Sequence, residues 1–172
     1  MAGSLIKIDE EIVTAAVANV TLTGIDSTYD VYMVKVNNFI PSTDGTDMKI
    51  RVVESGTPNS TANYDLAAKL LRADTTFGNE SNTNDTSYDC STPIGNATGE
   101  AANWIFYIFN AYNSSEYTFF TQEMTMLSNS AVLIGRQGGC VFTSASQVEG
   151  IQMFAGSGNI DNGTFTLYGL AK

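Results

Sequence analysis

Residues Val148 to Leu170 read VEGIQMFAGSGNIDNGTFTLYGL. Val148, Ile151, Met153 and Phe154 form one apolar arm; Phe165, Leu167 and Leu170 form another. Between them lies GSGNIDNG, a run of turn formers, and its Asn162-Gly163 pair tolerates the positive φ that a tight hairpin needs. The expectation is a β-hairpin. On its second arm Phe165, Leu167 and Gly169 share one face and Thr164, Thr166 and Tyr168 the other. A strand so patterned must be paired and covered, or it is an aggregation edge. It therefore predicts a strand that closes a β-sandwich.

Working back from that end, the chain is a series of short alternating runs. Asn19 to Ile25 alternates Val20 and Leu22 with Thr21 and Thr23. Tyr29 to Phe39 is apolar on both faces, with Val31 and Met33 on one and Tyr32, Val34 and Val36 on the other. Two-sided apolarity predicts a central strand or a subunit contact. Asp47 to Val53 places Met48, Ile50 and Val52 inward and Lys49 and Arg51 outward. Tyr64 to Leu71 fits helical and strand spacing equally, and the flanking strands favour a strand. Asp74 to Gly99, rich in Asn, Asp, Ser and Thr, predicts a long loop with at most one short irregular strand. Trp104 to Phe109 predicts a central strand, paired as a hairpin with Tyr117 to Leu127. Ala131 to Ile134 and Gly138 to Thr143 predict two further strands split by Gly135-Arg136-Gln137.

About eight or nine strands and no helix predict an all-β fold, a two-sheet antiparallel β-sandwich of jelly-roll-like form. An immunoglobulin-like sandwich is the alternative, but the two cysteines and the tryptophan lack its spacing. Residues 1–12, with Leu5, Ile6 and Ile8 followed by three carboxylates, predict an N-terminal arm. Residues 13–172 then make one domain.

The chain has a net charge of −10, and its eight Lys and Arg are scattered. Phosphate binding needs clustered cations, so neither nucleic acid nor an anionic membrane surface is an expected partner. The opening MAGSLIKIDEE lacks the basic and apolar regions of a signal peptide, and synthesis and folding in a cytoplasm are expected. Cys90 and Cys140 are too few for a disulfide framework and read as reduced thiols, Cys90 in a loop and Cys140 half-buried in a strand.

The chain contains no histidine, which removes the commonest general base and transition-metal ligand. Asp44 with Asp47, and Asp85 with Asp89, lie in turns that lack a calcium-loop pattern and read as solvated. Glu116 and Glu123 flank a strand without a recognisable substrate subsite. No cofactor, no metal and no enzymatic activity are expected. Trp104, Phe106, Phe109, Phe119 and Phe120 read as core. Tyr29, Tyr88, Tyr107, Tyr112, Tyr117 and Tyr168 are candidates for the surface, where tyrosines beside Asn and Asp stack on sugars or enter protein interfaces.

Three stretches carry a family resemblance. They are SLIKIDEEIVTAAVANVTLTGIDSTYDVYMVKVNNFIP at the start, the aromatic hairpin with NSSEYTFF, and GIQMFAGSGNIDNGTFTLYGLAK at the end. Together they resemble small β-sandwich virion structural proteins of tailed bacteriophages, marine ones notably; Asp74 to Gly99 has no counterpart. The resemblance implies a location in the virion. It also implies a capsid decoration (cement) protein on the outer head surface, a homotrimer clamping neighbouring major capsid protein subunits. A tail or head-fibre module that binds host surface glycan or protein is the alternative. The expected interface residues are Leu5, Ile6 and Ile8 of the arm, Tyr32, Val34 and Val36 of the two-sided strand, and Tyr88 and Tyr112 of the loops.

Overall fold

The computed structural model describes residues 4–171. The strands are β1 (Leu5–Val13), β2 (Asn19–Thr23), β3 (Val31–Pro41), β4 (Met48–Glu54), β5 (Thr57–Pro58), β6 (Tyr64–Arg72), β7 (Gly78–Asp85), β8 (Tyr88–Asp89), β9 (Ala102–Phe109), β10 (Thr118–Leu127), β11 (Leu133–Phe142), β12 (Gly150–Ala155) and β13 (Ile160–Leu170). They form two antiparallel sheets, so the expected sandwich is the observed one. The larger sheet has the order β1-β13-β3-β9-β10-β11-β6-β7; the smaller has β2-β12-β4-β5, with β8 also paired to β4. The chain crosses between the sheets at most connections. The meander β9-β10-β11 is the longest stretch that stays in one. Thirteen strands exceed the count read from the sequence, in part because β5 and β8 have two residues each.

The core follows from the alternation. β9 buries Ala102, Trp104, Phe106 and Ile108 and turns Asn103, Ile105 and Tyr107 outward. Val20, Leu22, Ile50, Val52, Ile151 and Met153 of the smaller sheet meet Val34, Val36, Phe165 and Leu167 of the larger. Burying a large apolar side chain stabilises by roughly 1.5–3 kcal/mol, so this shared layer fixes the fold. Trp104 donates its indole N–H to the Cys90 carbonyl at 3.1 Å and meets Phe39 edge-on with centroids 5.7 Å apart.

Several expectations change. The closing stretch is not a hairpin: β12 pairs with β2 and β4, whereas β13 pairs with β1 and β3 in the other sheet. Each arm has its own inward face, and the two meet across the core instead of side by side. The step between sheets falls at residues 156–159, where Gly158 has φ +72° and a Cβ would strike the Thr43 hydroxyl. Asn162-Gly163, expected at a turn, sits inside β13 at a register shift, the sign of a bulge. The expected arm is a strand: β1 pairs along its length with β13 at the sheet's edge. Residues 1–3 of that arm lie outside the described residues. The two strands expected around Gly135-Arg136-Gln137 are one continuous strand, β11, paired throughout with β10. The expected long loop contains β7, an edge strand without a single apolar residue, and β8.

Candidate functional site

Two regions concentrate side chains that a packed core does not account for. The first lies between the sheets. β11 turns Arg136 inward, where it is 1% exposed. Its Nη1 donates to the Asp89 carbonyl at 2.7 Å. Its Nε sits 2.8 Å from Glu80 Oε2, although the N–H is not aimed at that oxygen, so the contact is ionic and not a directed hydrogen bond. Lys49 Nζ lies 3.4 Å from Asp89 Oδ2, and Asp89 Oδ1 is buried without a hydrogen-bond partner. The cluster thus ties β4 and β8 of the smaller sheet to β7 and β11 of the larger, beside a cleft of about 180 Å³.

Electrostatics follow from this geometry. Burial pushes the Asp47 carboxyl up to about 6, and the nearby Asp89 charge adds to the rise. Burial likewise raises Asp89 and Glu80, against the pull of Lys49 and Arg136 on the first and of Arg136 on the second. Perturbed carboxylates in a cleft mark candidate acid–base sites. Here, though, Asp89 and Glu80 each face a cation at contact distance, the arrangement of a partly buried ionic pin in which only Arg136 is fully enclosed. Among the described residues, no group of three or more His, Cys, Asp or Glu is placed to hold a metal ion. Cys90 and Cys140 are both free and buried, and burial raises both thiols. A thiol so raised stays protonated and is a poor nucleophile.

The second region is the outer face of the larger sheet. Ile105 (39% exposed), Tyr107, Phe119 (45%) and Leu133 (52%) stand on it. A shallow cleft of about 410 Å³ runs across it, with Ile105 and Leu71 as apolar floor and Lys35, Asn37, Glu123 and Gln137 as polar rim. Gln137 reaches Glu123 at 3.4 Å and Lys69 reaches Asn79 at 2.8 Å. At one end of the sandwich a third depression, about 390 Å³, brings Tyr29 and Tyr112 together with Asp26, Asn110 and Asn113.

The expected interface residues divide. Leu5 and Ile6 are exposed on β1, and Ile8 is half-buried against the core. Tyr112 is half-buried beside the end depression. Tyr32, Val34 and Val36 are corrected: they form the inward face of β3, at most 1% exposed, because β3 lies between β13 and β9 and faces the smaller sheet. Tyr88 is also corrected. It is 1% exposed and donates its hydroxyl to Gln122 Oε1 at 2.6 Å. Phe119, expected in the core, is on the outer face, and Asp47 and Asp89, expected in solvated turns, are half-buried at the charged cluster. Sequence reading missed Arg136. The signal was its position in register with Ile134, Cys140 and Phe142, visible only if β11 is read as one strand.

No protein-family model matches the chain, and no curated protein matches its sequence.

Proposed function

We propose that the chain is a structural protein of a bacteriophage particle, a decoration protein docked on the outer surface of the head that clamps neighbouring capsid subunits. The observation that carries this reading is β1. It is the terminal strand of the larger sheet, with no strand on its outer side among the described residues, and it presents Leu5, Ile6 and Ile12 to solvent. Ile12 is 63% exposed. The middle of β1 is charged (Lys7, Asp9, Glu10, Glu11), so the apolar groups sit at its two ends, and an unpaired edge with such ends is a template for strand addition by a chain of matching register. The charge of −10 suits a position away from packaged DNA.

The test is the copy number of the chain on purified particles, with wild type and Ile6→Lys/Ile12→Lys compared. Hundreds of wild-type copies per head, and loss of occupancy in the double variant, are expected. A handful of copies, or occupancy unchanged by the substitutions, overturns the reading.

The end depression favours a second reading, a head-fibre or tail module that binds host glycan. Tyr29 and Tyr112 line it beside the polar Asn110, Asn113 and Asp26, and aromatic with amide and carboxylate groups is a combination that suits a sugar. A glycan array probed with wild type and Tyr112→Ala distinguishes it, since only this reading expects binding that the substitution removes.

A further inference from the structure

We infer that two copies of the chain associate face to face through the outer surface of the larger sheet, about a two-fold axis that runs along β9 through Ile105. The inference concerns the face of the sheet, stands apart from the edge-strand reading above, and puts a two-fold pair in place of the expected homotrimer.

The argument begins with one row of residues across the sheet. In register, Glu10 lies beside Thr166, Thr166 beside Lys35, Lys35 beside Ile105, Ile105 beside Glu123, Glu123 beside Gln137 and Gln137 beside Lys69. Ile105 on β9 is therefore the centre of an alternating charge pattern. Lys35 lies one strand to one side and Glu123 one strand to the other; Glu10 and Lys69 lie three strands out on the same two sides. A half-turn about β9 exchanges the two sides. It sets Lys35 against the partner's Glu123, Glu10 against the partner's Lys69, and Ile105 against its own copy. The other in-plane two-fold, across the strands, sets every charge in this row against itself. Like charges in apposition suppress that arrangement.

The neighbouring rows fit the same rotation in size. Tyr168, Met33, Tyr107, Thr121 and Gly139 are in register. Tyr168, two strands from β9, falls opposite the partner's Gly139, where only hydrogen occupies the side-chain position. In the row beyond, Val31 falls opposite the partner's Phe119. Near the axis, then, Ile105 meets its own copy, Val31 meets Phe119, Tyr168 meets Gly139 and Lys35 meets Glu123; three strands out the match is looser, with Lys7 opposite Ala67. An isologous interface requires this self-complementarity.

Strand spacing sets which contacts matter. Lys35 and Glu123 stand about 5 Å from the axis, within reach of each other across sheets packed about 10 Å apart. Glu10 and Lys69 stand about 14 Å out, where sheet twist separates the faces. Glu10 is moreover held by Lys7 at 3.0 Å. The inner pair decides specificity.

Sedimentation velocity of the full chain over a concentration series tests this. Wild type is expected to be a dimer that weakens as salt is raised. Lys35→Glu and Glu123→Lys should each weaken association by about tenfold or more, because each places like charges in apposition twice per dimer. The double swap Lys35→Glu/Glu123→Lys should restore it to within about threefold. Ile105→Lys places two ammonium groups on the axis and should leave monomers. Circular dichroism confirms that each variant is folded.

A wild type that is monomeric throughout, a dimer indifferent to the single swaps, or a double swap that stays monomeric overturns the inference. So does a monomer whose face binds glycan or capsid protein instead. A monomer that still occupies particles leaves the proposed function intact; a dimer that never binds particles does the reverse.

Discussion

Each face of the larger sheet carries an exception to the usual distribution of polarity. Its inner face holds Arg136, 1% exposed, while its outer face exposes Ile105, Tyr107, Phe119 and Leu133. On β11 alone Arg136 points in and Leu133 points out. The inner charge is tolerated because Glu80 and the Asp89 carbonyl meet it at 2.8 and 2.7 Å. Among the described residues nothing covers the outer apolar groups, which stay open to water. The inner face therefore bears on stability and the outer face on association, and substitutions on each should separate along that line.

The largest effect is expected inside. Arg136→Ala removes the one cation among the described residues at contact distance from Glu80 and leaves the Asp89 carbonyl without its guanidinium donor. Breaking a fully buried pair by deleting one partner costs about 3–5 kcal/mol; the partial exposure of Glu80 puts the expected loss at the lower end of that range. Urea unfolding should show that loss in the midpoint with little change in slope. The double variant Arg136→Met/Glu80→Gln, which removes both charges, should lose less than Arg136→Ala alone. A loss under about 1 kcal/mol for Arg136→Ala would mean that the cluster is not a structural pin, and the contrast between the faces would fail.

Tyr64 comes next. Its buried hydroxyl accepts from the Val52 N–H at 3.0 Å and donates to the Asn59 carbonyl at 2.8 Å, so it joins β6 of one sheet to β4 of the other. Tyr64→Phe strands a buried N–H and should cost about 1–3 kcal/mol by the same assay. Hydrogen exchange should rise most at Val52.

How much of this was legible in the sequence depends on where each residue sits. The core strands were readable because apolar positions recur with period two and turn formers bound them, as in Trp104 to Phe109 and Asp47 to Val53. Pairing was not readable. GSGNIDNG has the length of a hairpin loop and also of a step between sheets, and nothing local distinguishes the two. β7 was invisible because an exposed edge strand needs no apolar residue. Tyr32, Val34 and Val36 were read as interface because a strand apolar on both faces does not reveal which face is covered by its own chain. Arg136 was hidden by glycines on either side, Gly135 and Gly138, which read as breaks in a strand. At Gly138 a Cβ would press on the Ala67 carbonyl at 2.4 Å, so the glycine reflects the close approach of β6. The outer face was half legible: Tyr107 was placed at the surface, but Phe119 was assigned to the core because burial and association both demand apolar side chains.

A smaller effect tests the cluster by pH. Asp47 has a pKa of about 6 in the folded protein, raised mainly by burial, against an ordinary value of 3.8. The folded chain therefore holds this proton more tightly than the unfolded chain does. Stability from this group is complete below about pH 4 and is lost as pH rises through about 6. The raised Asp89 and Glu80 carboxyls act with the same sign. Asp47→Asn should leave stability at pH 4 nearly unchanged. At pH 7 it should raise it by about 1 kcal/mol, a figure reduced from the full shift because Asp47 is only half-buried. Unfolding curves at the two pH values check this. A variant less stable than wild type at pH 7 would place a favourable charge where the cluster has a costly one.

The smallest effect on stability is expected outside, where the effect on association should be large. Phe119 is 45% exposed on β10, between Phe109 and Val141 in register, while its neighbour Phe120 is 2% exposed and faces Tyr88 across the core. Phe119→Ser removes an apolar ring that water already reaches, so unfolding free energy should move by about 0.5 kcal/mol or less. The same substitution removes the ring expected opposite the partner's Val31, so dimers should weaken measurably in sedimentation while the melting curve hardly shifts. A chain destabilised by several kcal/mol would mean that the outer ring supports the fold itself, and a single polar substitution would have erased the distinction between the two faces.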